Sequence, residues 1–590
     1  MTASAILNVE RSTTGRRWTG PAPEVERMGL AIAQTAGLPE IVGRILAARD
    51  VLPEEAERYL TPTLRDLMPD PSILQDLDLA AARLAEAVIK GQRIAVFGDY
   101  DVDGGASAAL IIDWLRRLGR QATPYIPDRI DEGYGPNVPA MEELGRAHDL
   151  ILCVDCGTLS HEPVAAARAV GADVIIADHH LAGETLPDAT AVVNPNRADD
   201  TSGLGHLCAA GVVFLLLVAA NRTLRTQGGF KEGGEPDLRA MLDLVAVATV
   251  ADVAPLVGLN RAFVRQGLKI LSARARPGLA ALADVAGLSA PPSSGDLGFA
   301  LGPRINAGGR IGAADLGMRL LTTQDPHEAT ALAEKLDGLN KDRRRIEADV
   351  LAAASDQIEA RGSDGPLVWA SGNGWHPGVV GIVASRLKDR FNRPAVVIGV
   401  LDGEAKGSGR SIPGVDLGRA VGAMAREGLL EKGGGHMMAA GLSLSPDKID
   451  AAMEDLGTRL AAQGAGEGGP SDLRIDGALT PAAATIDLIE ILESAGPFGQ
   501  ANPAPRLAFS HVHIAHSRQV GTGHCQLRLR GSGGPQLDAI AFGAAQNGLL
   551  ELFERAGRTD TPLHVAGKLE IDDWGGRRKA KLRIDDAAEP

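Results

Sequence analysis

Aromatic residues make up only 3% of this chain, too few for a long platform of stacking rings. Cysteine is sparser still: Cys153, Cys156, Cys208 and Cys525 are too few and too scattered for a disulfide framework. Cys153 and Cys156 have CxxC spacing, but no second pair completes a zinc site. The longest apolar run, Ala209–Ala220, is 12 residues long, too short to cross a bilayer. Near the N-terminus stands Glu10, with no cationic stretch leading into an apolar one, so no secretory signal pattern is present. These absences predict a reduced, cytoplasmic setting and no membrane partner. Positive charge is also short, at 60 Lys+Arg against 75 Asp+Glu and a net charge of -15. That balance argues against a generally basic nucleic-acid binder. Bound cations and local arginine clusters can still attract phosphate.

What is present is ordinary globular protein, 45% hydrophobic and 23% charged. At 590 residues the chain exceeds what one core supports, so three or four domains are expected. Residues 1–80 read as a lead-in with helical pieces at Pro23–Ala36 and Leu38–Arg49. Over 81–325, short apolar runs (Arg93–Phe97, Leu150–Val154, Asp173–Ala177, Ala191–Val193) alternate with helical segments such as Ala106–Leu118 and Glu162–Val170. That rhythm predicts an α/β lobe with a mostly parallel sheet, whose ligands gather at the carboxyl ends of the strands. Leu332, Leu336, Leu339, Ile346 and Val350 recur at helical spacing with no internal proline, predicting one long bridging helix over 326–361. Lys341, Arg343, Arg344 and Arg345 read as its solvated face. A second, smaller α/β lobe is expected over 362–463, then a flexible linker at Gly464–Ser471. Alternating runs over 472–590 (Leu507–Ile514, Gln526–Arg530, Leu537–Phe542, Leu563–Ile571, Lys581–Ile584) predict a small closed β-barrel of the OB type.

Chemistry concentrates in Gly98-Asp99-Tyr100-Asp101-Val102-Asp103-Gly104, directly after the strand-like run Ile94–Phe97. Carboxylates this dense repel one another unless a cation neutralises them. Hard oxygen ligands suit Mg²⁺ or Mn²⁺ rather than a thiolate metal. The plainer alternative is an acidic turn closing a strand. Asp155 ends the run Leu150–Val154, Asp178-His179-His180 ends Asp173–Ala177, and Asp252 follows the apolar helix Met241–Val250. Singly, Asp155 and Asp252 read as caps and the paired histidines as surface. Together they predict one shared site, in which the imidazoles favour Mn²⁺. Two cations about 3.5–4 Å apart can hold a scissile phosphate, produce hydroxide near neutral pH and stabilise the leaving oxygen.

In this order the blocks Gly98–Gly104, Val154-Asp155, Asp178-His179-His180 and Thr249-Val250-Ala251-Asp252 resemble the motifs of the DHH phosphoesterases, most closely their single-strand-specific DNA exonuclease branch. Pro303–Arg310, Trp375–Ala384, Gly409–Gly414 and Gly433-Gly434-Gly435-His436 sharpen the resemblance, which covers about residues 80–590. It implies an exonuclease that releases mononucleotides from single-stranded DNA, 5′ to 3′, with two Mn²⁺ or Mg²⁺ ions, in DNA repair and recombination. It further implies that Asp101, with Asp99 or Asp103, binds the first ion and that Asp155 bridges the two. His179 and Asp252 then help hold the second, His180 faces the phosphate, and Asp178 orients the histidines. Relatives commonly carry a histidine where this chain has Phe97, so Asp99 is taken as the substitute ligand. Cys156 stands where an asparagine is common.

Arg304 and Asn306 are expected to line the cleft near the metals. Gly407-Ser408-Gly409 before Arg410-Ser411, and Gly433–Gly435 before His436, suit backbone nests for phosphate. Arg410 adds a planar fork and Ser411 a further donor; tight turns are the alternative. Arg129 and Glu132–Gly135, with Tyr134 for stacking, shape the groove or simply pack the loop. His511, His513, His516, Arg518, Arg528 and Arg530 suit single-strand binding on the barrel. The resemblance also implies a monomer with a helicase and a single-strand-binding protein as partners. Two other readings stay open: a phosphodiesterase for short oligonucleotides or cyclic dinucleotides, and a non-catalytic replication scaffold.

Overall fold

A computed structural model describes residues 5–128, 132–133, 135–230, 234–289, 291–466, 472–531, 534–573 and 576–590. The chain divides into two units. One comprises Arg58–Lys341 and Ser494–Ala504, the other Met1–Glu57, Asp342–Glu493 and Pro505–Pro590.

The first unit is built on a five-stranded sheet. Helix α1 (Leu77–Lys90) leads into β1 (Ile94–Gly98), α2 (Val102–Arg117), β2 (Ala122–Tyr125), β3 (Leu150–Val154), β4 (Asp173–Ala177) and β5 (Ala191–Val193). All pairs are parallel, in the order β2-β1-β3-β4-β5. Every residue of β1, β3 and β5 is buried, as a parallel sheet covered on both faces requires. Strand β2 escaped the sequence reading because Ala-Thr-Pro-Tyr carries a proline. As an edge strand it tolerates one. Register then places the site. Gly98 pairs with Val154, Val154 with Ala177, and Ala177 with Val193. The strands therefore end level, and the loops starting at residues 99, 155, 178 and 194 leave side by side.

Among the helices of this unit are α3 (Ala209–Thr226), α4 (Leu242–Ala251), α5 (Pro277–Val285), α6 (Gly302–Ile311), α7 (Leu316–Thr322) and the first residues of α8 (Pro326–Arg361). The 12-residue apolar run continues as helix to Thr226, and the resulting 18-residue α3 is by length and composition long and apolar enough to cross a membrane. However, 72% of it is buried, packed into the main hydrophobic core beside α1 and α2.

In the second unit, the remainder of α8 precedes β6 (Val368–Asn373), α9 (Pro377–Phe391), β7 (Ala395–Leu401), β8 (Glu404–Arg410), α10 (Leu417–Arg426), β9 (Lys432–His436) and β10 (Ala439–Leu444). The sheet order is β9-β10-β8-β7-β6, antiparallel except for β6 with β7. Arg343 departs from the solvated face expected on α8. It is buried and donates to Glu347 at 2.7 Å, because a buried carboxylate one turn on draws it inward.

Strands β11 (Leu507–Val520), β12 (His524–Arg530), β13 (Leu537–Ala541), β14 (Leu563–Asp572) and β15 (Lys579–Ala588) form the barrel. Their pairing runs β11-β12-β13-β15-β14 and closes β14 onto β11. Of the expected linker, 464–466 are described and 467–471 lie outside the described residues. Residues up to Glu57 belong to this unit. Trp18–Thr19 pairs with Leu473–Arg474, and the fully buried Trp18 indole donates to Asp586 Oδ2 at 2.9 Å.

Candidate metal centre

The first acidic loop is shaped by its own backbone. Asp101 caps α2, its Oδ1 accepting the N–H groups of Asp103 at 2.9 Å and Gly104 at 3.1 Å, a preferred role for aspartate. Gly104 has no room for a side chain, since a Cβ there would lie 2.4 Å from the Asp99 carbonyl oxygen. Asp99 is buried and accepts the Tyr100 N–H at 2.8 Å. Asp103, 1% exposed, accepts the N–H groups of Ala209 at 2.7 Å and Ala210 at 2.8 Å. These open α3, whose dipole favours an anion there.

Asp155 is buried in the left-handed region at φ 60°, which costs an L-residue about 1–2 kcal/mol. Strain of this kind gathers at functional sites. Asp178 Oδ1 accepts from the His179 N–H at 2.8 Å, the His180 N–H at 3.2 Å and His180 Nδ1 at 2.8 Å, while Oδ2 accepts the Thr158 N–H at 3.1 Å. The histidine loop is clamped from the far side as well. Asn194 donates to the His180 carbonyl at 2.8 Å and Asn196 to that of His179. The sequence reading missed these two asparagines. Their signal was an Asn-Pro-Asn turn directly after β5, level with the other loops. Asp252 caps the end of α4, and Val253 after it is left-handed at φ 59°.

These segments converge. His179 Nε2 lies 3.3 Å from Asp155 Oδ1, 3.7 Å from Asp103 Oδ2 and 3.7 Å from Asp252 Oδ2. Potential ligand atoms within 4.8 Å of one another form three overlapping groups: Asp99, Asp101 and Asp155; Asp103, His179 and Asp252; Asp155, His179 and His180. Asp155 is common to the first and third. Phe97, for which Asp99 is the expected substitute ligand, is buried and stacks on Tyr125 at 5.2 Å.

Electrostatics make the cluster uncomfortable without a cation. Burial, joined by the charges of the neighbouring aspartates, pushes the carboxyls of Asp103 and Asp155 above the usual range and that of Asp252 up to about 9. The buried His179 Nε2 makes no hydrogen bond despite three carboxylates beside it. Ligands held about 2.1 Å from one ion stand roughly 3 Å apart, close to the spacing seen. Hard oxygens with an imidazole fit Mn²⁺ or Mg²⁺. His180 behaves differently. Burial opposes its charge, but the hydrogen bond and charge of Asp178 outweigh that and raise it to about 9. Asp178 in turn is buried, yet its hydrogen bonds to His180 and Thr158 hold it well below the carboxylate range.

The expected substrate residues are placed less uniformly. Asn306 Oδ1 accepts the Val102 N–H at 3.0 Å, buttressing the acidic loop. Arg304 pairs with Asp337 at 2.9 Å and donates to the Ala300 carbonyl. In the second unit, Arg410 donates to Ser408 Oγ at 3.0 Å and the Gly409 carbonyl at 2.8 Å. Ser411 corrects the reading as a phosphate donor: its hydroxyl is 1% exposed and donates to the Val415 carbonyl at 2.7 Å, closing a turn. Gly434, Gly435 and His436 lie exposed on β9, the edge of their sheet. Gly435, at φ 148°, admits no Cβ, which would meet the Ala439 carbonyl oxygen at 2.3 Å. Arg129 and Tyr134 lie outside the described residues. Glu132 accepts from Tyr125 Oη at 2.6 Å and the Asp128 N–H at 2.9 Å.

Comparison with known proteins adds three matches by domain and three by whole chain. Residues 93–249 match the N-terminal domain of the DHH family, 364–462 the DHHA1 domain and 475–586 the RecJ OB domain. The single-stranded-DNA-specific exonuclease RecJ of Escherichia coli is 38% identical over 570 residues, covering 93% of this chain and 96% of that protein. The crystal structure of RecJ from Thermus thermophilus in complex with Mn²⁺ aligns at a TM-score of 0.79 and 29% identity, over 97% of this chain and 79% of that one. The same protein in complex with Mg²⁺ aligns at 0.74 and 28% identity, over 97% and 78%.

Proposed function

This chain belongs to the RecJ family of single-stranded-DNA-specific exonucleases, and from that premise we propose how its residues divide the work of hydrolysing a phosphodiester bond. The observation that carries the proposal is that Asp99, Asp101 and Asp155 form one group of ligand atoms within 4.8 Å and Asp103, His179 and Asp252 another, from four separate segments, with His179 Nε2 3.3 Å from Asp155 Oδ1 between them. Asp99, Asp101 and Asp155 would hold one Mn²⁺ or Mg²⁺ ion, and Asp103, His179 and Asp252 the other, with Asp155 between them. When bound, the ions lower the pKa of water and neutralise charge developing on the phosphoryl oxygens. His180, its Nδ1 committed to Asp178, would offer Nε2–H to a phosphate oxygen when the ring is protonated, a form that the Asp178 hydrogen bond favours. Asp178, Asn194 and Asn196 hold that ring in place.

Substrate choice is supported by apolar side chains around so acidic a centre. Leu159, Leu181, Val253 and Phe299 are 62%, 56%, 63% and 82% exposed. Leu181 and Val253 directly follow His180 and Asp252, and the segment of Phe299 packs on α4 through Gly298. Unpaired bases offer matching apolar faces, whereas paired bases hide theirs. Arg410, Gly434, Gly435 and His436 are proposed to contact backbone phosphate. Family membership adds 5′-to-3′ polarity, release of mononucleotides, and a place in DNA repair and recombination. An exonuclease confined to single strands needs them exposed, so a helicase and a single-strand-binding protein are its proposed partners, acting with a monomeric enzyme.

The test gives the purified protein, with Mn²⁺, a long 5′-labelled single strand, its duplex, a dinucleotide and a cyclic dinucleotide. Degradation of the long strand with the duplex spared is expected. Cleavage of the dinucleotides alone would make it a small-molecule phosphodiesterase instead.

A further inference from the structure

Helices α2 and α4 bring metal-site residues to a common end: Asp101 and Asp103 stand at the start of α2 and Asp252 at the close of α4. Each helix also carries a buried carboxylate toward its other end, Asp113 on α2 and Asp243 on α4. Arg276, itself buried, joins the two. Its Nη1 donates to Asp113 Oδ2 at 2.6 Å and its Nε to Asp243 Oδ2 at 2.8 Å. The same Nη1 reaches the Leu321 carbonyl at 2.9 Å, tying in α7. Arg116 donates to the remaining Asp113 oxygen at 2.7 Å, so two cations balance two anions. Along α2 this knot is roughly 15 Å from Asp103, at about 1.5 Å per residue.

Near the metal-site end the two helices present mostly small side chains to the core. Where α2 leaves the acidic loop it reads Gly104-Gly105-Ala106-Ser107-Ala108-Ala109, and α4 reads Val245-Ala246-Val247-Ala248-Thr249. Small side chains make shallow ridges, and ridges set helix register. Helix α4 is buried throughout residues 242–249, so no polar face sets its rotation. A bidentate guanidinium is directional where such packing is not, and register is the best-attested use of a buried ionic contact.

We propose that Arg276 is a positioning residue for the metal centre: by fixing α2 against α4 through Asp113 and Asp243, it holds Asp101 and Asp103 in register with Asp252. The inference rests on the two-ion reading of the site. It is tested by titrating Mn²⁺ into the full chain by calorimetry, with free Mn²⁺ followed by electron paramagnetic resonance. Arg276→Met is expected to weaken Mn²⁺ binding by roughly tenfold, the lower end of the range for groups bonded directly to metal ligands, because Arg276 acts on them through two helices. At saturating Mn²⁺ its kcat stays near that of the parent, while the Mn²⁺ concentration for half activity rises. Asp113→Leu with Arg276→Met and Asp243→Leu fills the site with apolar groups of similar volume, a replacement that preserves or raises stability elsewhere. That variant is expected to melt no lower than Arg276→Met and still to bind Mn²⁺ weakly. Arg276→Lys, which keeps one charge, serves if Arg276→Met does not fold, and is expected to lie between it and the parent. A folded variant of any of the three with parental Mn²⁺ affinity overturns the proposal. A parent chain that binds no Mn²⁺ overturns the two-ion reading instead.

Discussion

The Asp178 carboxylate receives the Nδ1 proton of His180 at 2.8 Å, and that bond decides which edge of the ring is left to meet a phosphate. Asn at position 178 would keep the shape and lose the charge. Asp178→Asn is therefore expected to lower the His180 midpoint from about 9 toward its ordinary 6.5, read by NMR titration of the metal-free protein. Cleavage at neutral pH should fall roughly 100-fold, the scale of a lost proton donor.

The clustered carboxyls make a prediction about pH. Asp103, Asp155 and Asp252 are raised in the folded, cation-free chain, chiefly by burial and then by the charges of neighbouring aspartates, Asp101 among them. A carboxyl raised on folding contributes stability while both states are protonated, below about pH 4, and that contribution is lost as pH climbs toward the folded value. His180, raised to about 9 by Asp178 against its burial, contributes fully below about 6.5 and loses its share as pH rises through 9. Both trends point the same way. The metal-free protein should melt at steadily lower temperature from about pH 5 to about pH 9, and Mn²⁺ should raise the melting temperature more at the alkaline end. Differential scanning fluorimetry with and without the ion checks both slopes.

Much of this site was legible because parallel strands end level and their next residues carry the chemistry. The runs Leu150–Val154, Asp173–Ala177 and Ala191–Val193 are strands with those bounds, and helix 326–361 follows its apolar spacing. What stayed hidden is pairing across the chain. The Asn-Pro-Asn turn after β5 marks a loop at the site but not that Asn194 donates to the His180 carbonyl, and nothing local says that Asn306 will accept the Val102 N–H or that Arg304 will turn to Asp337. Arg343 looked solvated because its partner, Glu347, is as polar as any surface residue. The Ser411 hydroxyl looked available because a buried turn and an anion nest share the same glycines. The alternative between Asp99 and Asp103 beside Asp101 needed distances, which group Asp99 with Asp101 and Asp103 with His179.

Asp155 is within 4.8 Å of Asp99 and Asp101 on one side and of His179 on the other, so under the proposed two-ion arrangement its loss should affect both ions. Asp155→Ala is expected to abolish tight Mn²⁺ binding and to cut exonuclease activity about 1000-fold or more, since metal stabilisation is worth several kcal/mol. Calorimetry beside a gel assay on single strands separates this from unfolding, because removing a strained, raised carboxyl should leave the metal-free melting temperature unchanged or higher.

Space alone condemns a methyl group at Gly104, where a Cβ would stand 2.4 Å from the Asp99 carbonyl oxygen. Gly104→Ala must displace the loop that carries Asp99 and Asp101. Weaker Mn²⁺ binding is expected, by roughly tenfold or more, with circular dichroism unchanged.

The N-terminal segment is part of the barrel unit through Trp18, fully buried and bonded to Asp586. Trp18→Ala should cost about 3–5 kcal/mol, measured by urea unfolding. Mn²⁺ affinity at the metal centre, which belongs to the other unit, should be unchanged.

The most direct test is diffraction from crystals grown with Mn²⁺ at the manganese absorption edge. Two anomalous peaks are expected, one among Asp99, Asp101 and Asp155 and one among Asp103, His179 and Asp252. Absence of both peaks from that pocket, with ions bound elsewhere on the protein, would contradict the account.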